Sequence, residues 1–302
     1  MHVLFLFDHK LKTGMKGIYR VLFFIAAGGL IILGCISNAE KTTAKGFGAA
    51  HHVSVGSGRA EMESDSAAYV PEADGGSVPV LCYHQIRDWT PKDSKTAKVY
   101  IVPVANFKAE MKILHDKGYH SISPDQLIAH LQHGAPLPSK PIMITLDDAD
   151  ESQYSVGLPE LDKAGFKATF YVMTVVLNRP KYFSRAQVKE LNDKGHTIGC
   201  HTWDHHMVTK YTEADWVKQV VKPRAELEKI IGKPVMYFAY PFGLWNPAAV
   251  SHIKQYGFTA AFSLAGKADH EAPMYTLKRQ IVDGNWNAEQ MMKYIEHIEK
   301  GK

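Results

Sequence analysis

The stretch 141–148, which reads PIMITLDD, joins a buried apolar run to two adjacent aspartates. Its first six residues are mostly apolar and several are β-branched, which is typical of a strand covered on both faces. Similar short runs recur along the chain at 79–83, 168–174, 196–200, 235–240, 258–263 and 279–282. Seven predicted strands that alternate with helices indicate a parallel α/β fold, either an incomplete barrel or an open doubly wound sheet.

Helix-capping residues and glycines predict where the intervening helices begin and end. Asn106 is the expected cap of the first helix, and Pro223 is expected to kink the fourth. The predicted helices lie at about 106–118, 123–134, 184–195, 212–232, 246–257 and 287–299. Their regular alternation with the strands places one crossover helix between most strand pairs.

Composition narrows the classes of function. The chain has 302 residues, of which 45% are hydrophobic and 22% charged, values that exclude a wholly disordered or multi-span membrane protein. The net charge of +4 comes mostly from residues 1–34, and the remainder carries 31 basic and 30 acidic residues. No nucleic-acid partner is therefore expected, because tracking phosphates requires a clustered basic excess.

The amino-terminal segment has the pattern of an export signal. An apolar run of 13 residues at 21–33 follows Lys16 and Arg20, and it is short of the roughly 20 residues that span a bilayer. Met15 precedes this signal more typically than Met1 does, so translation is expected to begin there.

The end of the apolar run predicts a lipid anchor. Residues 32–35 read ILGC, which resembles the lipobox of bacterial lipoproteins, with Cys35 as the lipidated residue. A plain signal peptide or an uncleaved anchor is the alternative. We expect a signal over 1–35, a flexible tether over 36–77 that is rich in small polar residues, and one catalytic domain over 78–302. The protein is then an exported, extracytoplasmic lipoprotein attached to a membrane.

Reactive side chains follow three of the predicted strands. His84 comes after 79–83, Asp147 and Asp148 end 141–148, and His201 and His205 follow 196–200. Because the carboxyl ends of parallel strands meet at one edge, these residues are expected to converge. The spacing of the two histidines predicts that they share one side of a helix start. Two histidines and one aspartate, with an open fourth position, suit a hydrolytic metal site, and the second aspartate is free to act as a base.

Four stretches carry a resemblance to a known family. They are 144–151 (ITLDDADE), 195–205 (GHTIGCHTWDH), 238–243 (FAYPFG) and 79–86 (PVLCYHQI). Together they resemble the polysaccharide deacetylases, also called the NodB-homology group or carbohydrate esterase family 4. The last stretch resembles the opening of the branch that deacetylates poly-N-acetylglucosamine. The resemblance implies a distorted (β/α)7 barrel as a single catalytic domain.

The resemblance also implies roles for individual residues. Asp147 corresponds to the general base and His84 to the general acid, and the backbone N–H of Phe242 corresponds to the donor that stabilises the oxyanion. The implied metal ligands are Asp148, His201 and His205.

Three further residues are candidates for the substrate-binding region. Pro241 is expected to shape the loop that carries Phe242, and Trp245 is a candidate for stacking on a sugar ring. The arginine that orients the base in the wider family is Ala239 in this chain. Arg279, near the end of the last predicted strand, is the candidate replacement.

The resulting functional hypothesis is a metal-dependent hydrolase that removes N-acetyl groups from an N-acetylated glycan. Poly-N-acetylglucosamine, chitin-like oligomers and peptidoglycan are the candidate substrates. The ligand set suits Zn²⁺, with Co²⁺ or Ni²⁺ as alternatives. Two other hypotheses are a related C–N hydrolase that acts on a non-glycan amide, and a catalytically weak module that binds glycan.

Overall fold

The computed structural model describes residues 78–264 and 266–300. The predicted signal, lipid-attachment residue and tether at 1–77 lie outside the described residues. Among the described helices, none is both long and apolar enough to cross a bilayer.

Eleven strands occur in the described region, and all their pairings are parallel. They are β1 (Val80–Tyr83), β2 (Gln85–Ile86), β3 (Ile101–Val102), β4 (His120–Ser121), β5 (Pro141–Asp147), β6 (Thr169–Val172), β7 (Thr197–Cys200), β8 (Tyr237–Ala239), β9 (Ala260–Ser263), β10 (Leu277–Lys278) and β11 (Gln280–Ile281). The seven predicted strands are all confirmed. The sequence pattern missed the two-residue strands β2, β3, β4 and β10, which are too short to show a period.

The main sheet is a nearly closed barrel. Its strand order is β10-β9-β8-β7-β6-β5-β1-β11, with β4 paired to β5. The two ends of this path, β10 and β11, are separated in the chain by Arg279 alone. The predicted distorted barrel is therefore confirmed, and the open doubly wound sheet is excluded.

Helices cover the outside of the barrel. They are α1 (Lys95–Val99), α2 (Val104–Asp116), α3 (Pro124–His133), α4 (Leu158–Ala164), α5 (Arg185–Asp193), α6 (Glu213–Trp216), α7 (Lys222–Ile231), α8 (Pro247–Gln255) and α9 (Ala288–Glu299). Capping boxes at Ser123, Ser184, Thr212 and Asn287 begin α3, α5, α6 and α9, so the side chains of short polar residues satisfy N–H groups that lack a partner within the helix.

One helix prediction was wrong in detail. Helix α2 begins after Pro103 instead of at Asn106, whose side-chain amide instead donates to the carbonyl of Trp286. A π-helical segment (Val217–Val221) joins α6 to α7, whose second residue is Pro223, and the kink expected at Pro223 stays a prediction. A π-helical turn accommodates an irregularity in the hydrogen-bond ladder without breaking the helix.

Strand alternation divides the core into an inner and an outer set. Met143, Tyr171 and Phe262 belong to the cluster inside the barrel, whereas Ile144 and Phe170 belong to the cluster under the helices. Successive side chains of a strand point to opposite faces, so residues two apart share a face. Asp147 and Cys82 therefore face the barrel interior near its rim.

Candidate metal centre and active site

The residues predicted to be functional lie at the carboxyl ends of the barrel strands. Asp147 is the last residue of β5 and Asp148 follows it, while His84 and His201 directly follow β1 and β7. Phe242 lies in a 3₁₀ turn (Pro241–Gly243) shortly after β8. Because these strands are parallel, the residues share one rim of the barrel.

The backbone of this rim is unusual. Five of the eight described non-glycine residues with positive φ lie here, namely Asp148, Ala149, Thr202, His205 and Phe242. Each such residue costs about 1–3 kcal/mol and persists only where surrounding structure holds it. This cluster aims side chains in directions that a regular loop would not allow.

The predicted helix start at His201 and His205 was wrong. Residues 201–207 form a turn, in which Thr202 has φ of 68° and His205 has φ of 63°. The amide N–H of His205 donates to the hydroxyl of Thr202 at 3.0 Å, which fixes the turn. The two imidazoles still meet on one side, with ring centroids 4.8 Å apart.

Asp148, His201 and His205 form a set that fits a metal ion. Oδ1 of Asp148 lies 3.5 Å from Nε2 of His201 and 3.7 Å from Nε2 of His205. Ligand bonds of about 2.0–2.1 Å in a tetrahedral zinc site place oxygen and nitrogen about 3.4 Å apart. Within the described residues, Oδ1 of Asp148 and Nε2 of His201 are buried without a hydrogen-bond partner. A shared cation satisfies both atoms.

The tautomer of His201 agrees with this assignment. Its Nδ1 lies 2.8 Å from the carbonyl oxygen of Ala239, so Nδ1 carries the proton and Nε2 offers its lone pair. Burial lowers the pKa of His201, but the carboxylates of Asp147 and Asp148 outweigh burial and raise it. The two carboxylates thus create a negative potential that favours a cation at this position.

Asp147 is held by a buried ion pair. Arg279 donates from Nη1 to Oδ1 at 2.7 Å and from Nη2 to Oδ2 at 2.8 Å, and it donates to Oγ1 of Thr145 as well. Burial raises the pKa of Asp147, but the Arg279 guanidinium and the imidazoles of His201 and His84 together outweigh burial and lower it. The thiol of Cys82 also donates to Oδ2 at 3.5 Å. Asp147 is therefore ionised and fixed in one orientation.

The two hydrogen bonds to Asp147 fix the side chain of Arg279 in the barrel interior. The residue was predicted both as the replacement for the arginine absent at Ala239 and as a substrate-binding residue. Only 2% of Arg279 is exposed, and both of its terminal nitrogens point at Asp147. That placement suits a residue that orients the base and not one that contacts substrate.

His84 lies next to Asp147, the predicted base, and is half-buried. Its ring meets the ring of Tyr100 edge to face, with centroids 5.1 Å apart. Burial lowers its pKa, while the nearby carboxylates of Asp148 and Asp147 oppose that effect. A histidine in this position is a stronger acid than one in water.

The predicted oxyanion and sugar residues lie near the same rim. The ring of Phe242 packs on the imidazole of His205 at 4.4 Å between centroids, which places this side chain beside the candidate metal site. Pro241 is buried in the turn that carries Phe242. Trp245 is half-buried against the outer core cluster, so part of its surface serves packing.

Sequence reasoning missed Gln153, which joins His84 and Asp147, the residues predicted to be acid and base. Its side-chain amide donates to the carbonyl oxygen of His84 at 2.6 Å and also to the carbonyl oxygen of Asp147. Gln153 is fully buried at the start of a π-helical segment, six residues after Asp147. A lone glutamine in a loop carries no sequence signal for this role.

Comparisons with known proteins agree with the fold. The family model for polysaccharide deacetylases matches residues 134–261. A poly-beta-1,6-N-acetyl-D-glucosamine N-deacetylase of Staphylococcus aureus is 26% identical over 83% of this chain and 88% of its own length. The Bacillus subtilis protein YxkH is 25% identical over 79% of this chain and 83% of its own length.

A solved structure supports the fold independently. The Streptococcus pyogenes deacetylase PplD, determined with acetate, superposes with a TM-score of 0.67 over 72% of this chain and 97% of that one, at 23% identity. The barrel topology and the family match together identify a hydrolase that acts on C–N bonds in carbohydrate amides. The chain carries a polysaccharide deacetylase domain of the NodB type.

Proposed function

We propose that this protein removes N-acetyl groups from poly-β-1,6-linked N-acetylglucosamine. The observation that carries the reaction is the juxtaposition of Asp148, His201 and His205 with a second, separately held aspartate, Asp147. The polymer is favoured because the Staphylococcus aureus relative named for it aligns over most of both chains. The stretch 79–86 resembles the opening of the same branch.

Asp148, His201 and His205 would hold a divalent cation, and Zn²⁺ suits this set of one oxygen and two nitrogens. When bound, such an ion makes water a better nucleophile and polarises an amide carbonyl. Asp147 takes the proton of the attacking water, a function that typically contributes about 10²–10⁴-fold. Its carboxylate is suited to this because Arg279 fixes both oxygens.

The remaining residues complete the hydrolysis. The N–H of Phe242 donates to the carbonyl oxygen as it becomes negative, an interaction that matters most in the transition state. His84 gives its proton to the amide nitrogen as the C–N bond breaks. The products are acetate and a free sugar amine, so atoms and charge balance.

An acetate-release assay tests this proposal. The full chain is loaded with Zn²⁺, Co²⁺ or Ni²⁺ and offered poly-β-1,6-N-acetylglucosamine, chitin oligomers, peptidoglycan and a simple non-glycan amide. We expect acetate from the first polymer, and Asp147→Asn should abolish release while retaining the metal. Release from another glycan alone would overturn the substrate, and no release from any glycan with metal bound would overturn the activity.

We further propose export and lipid anchoring at Cys35, on the strength of the sequence pattern at 16–35. An anchored enzyme with a 42-residue tether at 36–77 would reach polymer that lies away from the membrane surface. Labelling cells with a fatty-acid analogue checks this. Wild type should take up label in the membrane fraction, and Cys35→Ser should not; equal labelling of both would refute the anchor.

A further inference from the structure

A second set of potential metal ligands lies beside the candidate catalytic set. Cys82, His84 and Asp147 each offer one ligand atom, and these three atoms lie within 4.8 Å of one another. None of the three belongs to the set formed by Asp148, His201 and His205. The second set combines a thiol, an imidazole and a carboxylate from the ends of two adjacent strands, β1 and β5.

The donor chemistry and spacing suit a tetrahedral cation. Sγ of Cys82 lies 3.5 Å from Oδ2 of Asp147. Zinc bonds of about 2.3 Å to sulfur and 2.1 Å to oxygen place these two atoms about 3.6 Å apart. Nδ1 of His84 is buried and has no hydrogen-bond partner within the described residues. Soft thiolate favours Zn²⁺ and Cd²⁺ over Mg²⁺ or Ca²⁺.

Arg279 limits this site without blocking it. The guanidinium takes one lone pair on each oxygen of Asp147, and a carboxylate offers about four such positions. The S–H of Cys82 occupies another position on Oδ2. A cation that replaces this thiol proton bonds sulfur and Oδ2 together and leaves Arg279 in place. One proton goes to solvent, so the local charge rises by one.

The nearby positive charge also sets the order of filling. Arg279 lies directly against the second set, whereas the catalytic set is bordered by the carboxylate of Asp147. The catalytic set should therefore fill first and the second set at higher metal concentration. His84 and Asp147 would then both be occupied by metal.

We propose that Cys82, His84 and Asp147 form a second, weaker site for a thiophilic divalent cation, and that its occupation inhibits the enzyme. Binding depends only on the three side chains. The inhibitory effect rests on the proposed function, because the bound cation takes the acid and the base out of the reaction.

Cadmium binding to the full chain tests the site directly. Protein that holds one equivalent of Zn²⁺ is titrated with Cd²⁺, while ultraviolet absorption from cadmium–thiolate bonds and total metal content are recorded. Wild type should gain a second equivalent together with the thiolate band. Cys82→Ser should lose both, and because Cys35 and Cys200 remain, the difference spectrum reports Cys82 alone. Equal band intensity in wild type and Cys82→Ser would overturn the proposal.

Two more variants guard against a folding defect. Cys200→Ser alters another buried thiol and should keep the second equivalent and the difference band. His84→Ala keeps the thiol, removes one ligand, and should weaken Cd²⁺ binding more than tenfold; unchanged affinity would contradict the site. The rate of acetate release is normalised for each variant to its own rate before Cd²⁺ is added. This rate should fall in wild type as the second equivalent of metal binds and stay level in Cys82→Ser.

The two readouts separate the two proposals. If the thiolate band forms but no acetate is released under any condition, the proposed function is refuted and the second site stands. If no thiolate band forms and added Cd²⁺ leaves acetate release unchanged, the second site is refuted and the proposed function stands.

Discussion

Replacing Arg279 by methionine should destabilise the protein strongly, because it leaves Asp147 charged and buried without a counterion. The side chains of this pair are 0% and 1% exposed, and they share two short hydrogen bonds. Hydrogen bonds to charged groups contribute about 1.5–3 kcal/mol each. Removing one partner of a buried pair typically costs about 3–5 kcal/mol. We therefore expect Arg279→Met to lower the free energy of unfolding by about 3–5 kcal/mol.

Urea unfolding followed by circular dichroism measures this change. Arg185→Met is the matched control, since Arg185 pairs with Glu226 at the surface, where the side chains are 49% and 33% exposed. That variant should lose about 0–1 kcal/mol. The double variant Arg279→Met/Asp147→Asn removes the unpaired charge and should recover at least half of the loss. A loss below 1 kcal/mol for Arg279→Met, or no recovery in the double variant, would refute the reasoning.

Three further predictions concern other parts of the fold. Burial raises the pKa of Glu110 to about 7, against 4.5 for the free side chain, so between these pH values the folded protein holds a proton that the unfolded chain has lost. The free energy of unfolding should therefore fall by about 3 kcal/mol as pH rises through that window. Urea unfolding at pH 5 and 8 measures this change, and Glu110→Gln should flatten it. Gln153→Met removes the amide that donates to the carbonyls of His84 and Asp147, and it should lower kcat at least tenfold with metal content unchanged. The control Gln187→Met alters only the cap of α5 and should leave kcat unchanged. Gly243→Ala makes Cβ collide with the backbone nitrogen of Leu264 and should cost clearly more stability than Gly134→Ala, which has a similar φ but open space around it. Equal melting temperatures of the two variants would contradict this.

The barrel was predictable because each of its main strands can be recognised from its own local sequence. Buried parallel strands read as short apolar runs, and the runs at 141–146 and 196–200 need no tertiary information to be recognised. The capping boxes at Ser184 and Thr212 are equally local, since each depends on residues three positions apart. Helices α1 and α4 and the two-residue strands β2, β3, β4 and β10 were missed because such short elements do not establish a clear period.

The candidate site was predictable in membership but not in geometry. The strand-end rule brings His84, Asp148 and His201 to one rim from the sequence alone. It cannot supply the turn at residues 201–207, because that turn depends on positive φ at Thr202 and His205, which L-residues adopt only under tertiary constraint. The role of Gln153 could not be predicted for a similar reason. Its hydrogen-bond partners are backbone carbonyls, which every residue has, so the sequence does not indicate them.

Arg279 explains how the chain accommodates alanine in the place of the family arginine. Ala239 ends β8, whereas Arg279 lies between β10 and β11, the two strands at which the barrel path ends. Its backbone N–H bonds the carbonyl of Ser263 on β9, and its guanidinium crosses the interior to Asp147 on β5. The residue at the closure of the barrel thus also orients the proposed base. Because one side chain serves both purposes, closure of the barrel and the fixed orientation of Asp147 should be lost together. Arg279→Lys, which keeps the charge but not the paired geometry, should preserve more stability than activity.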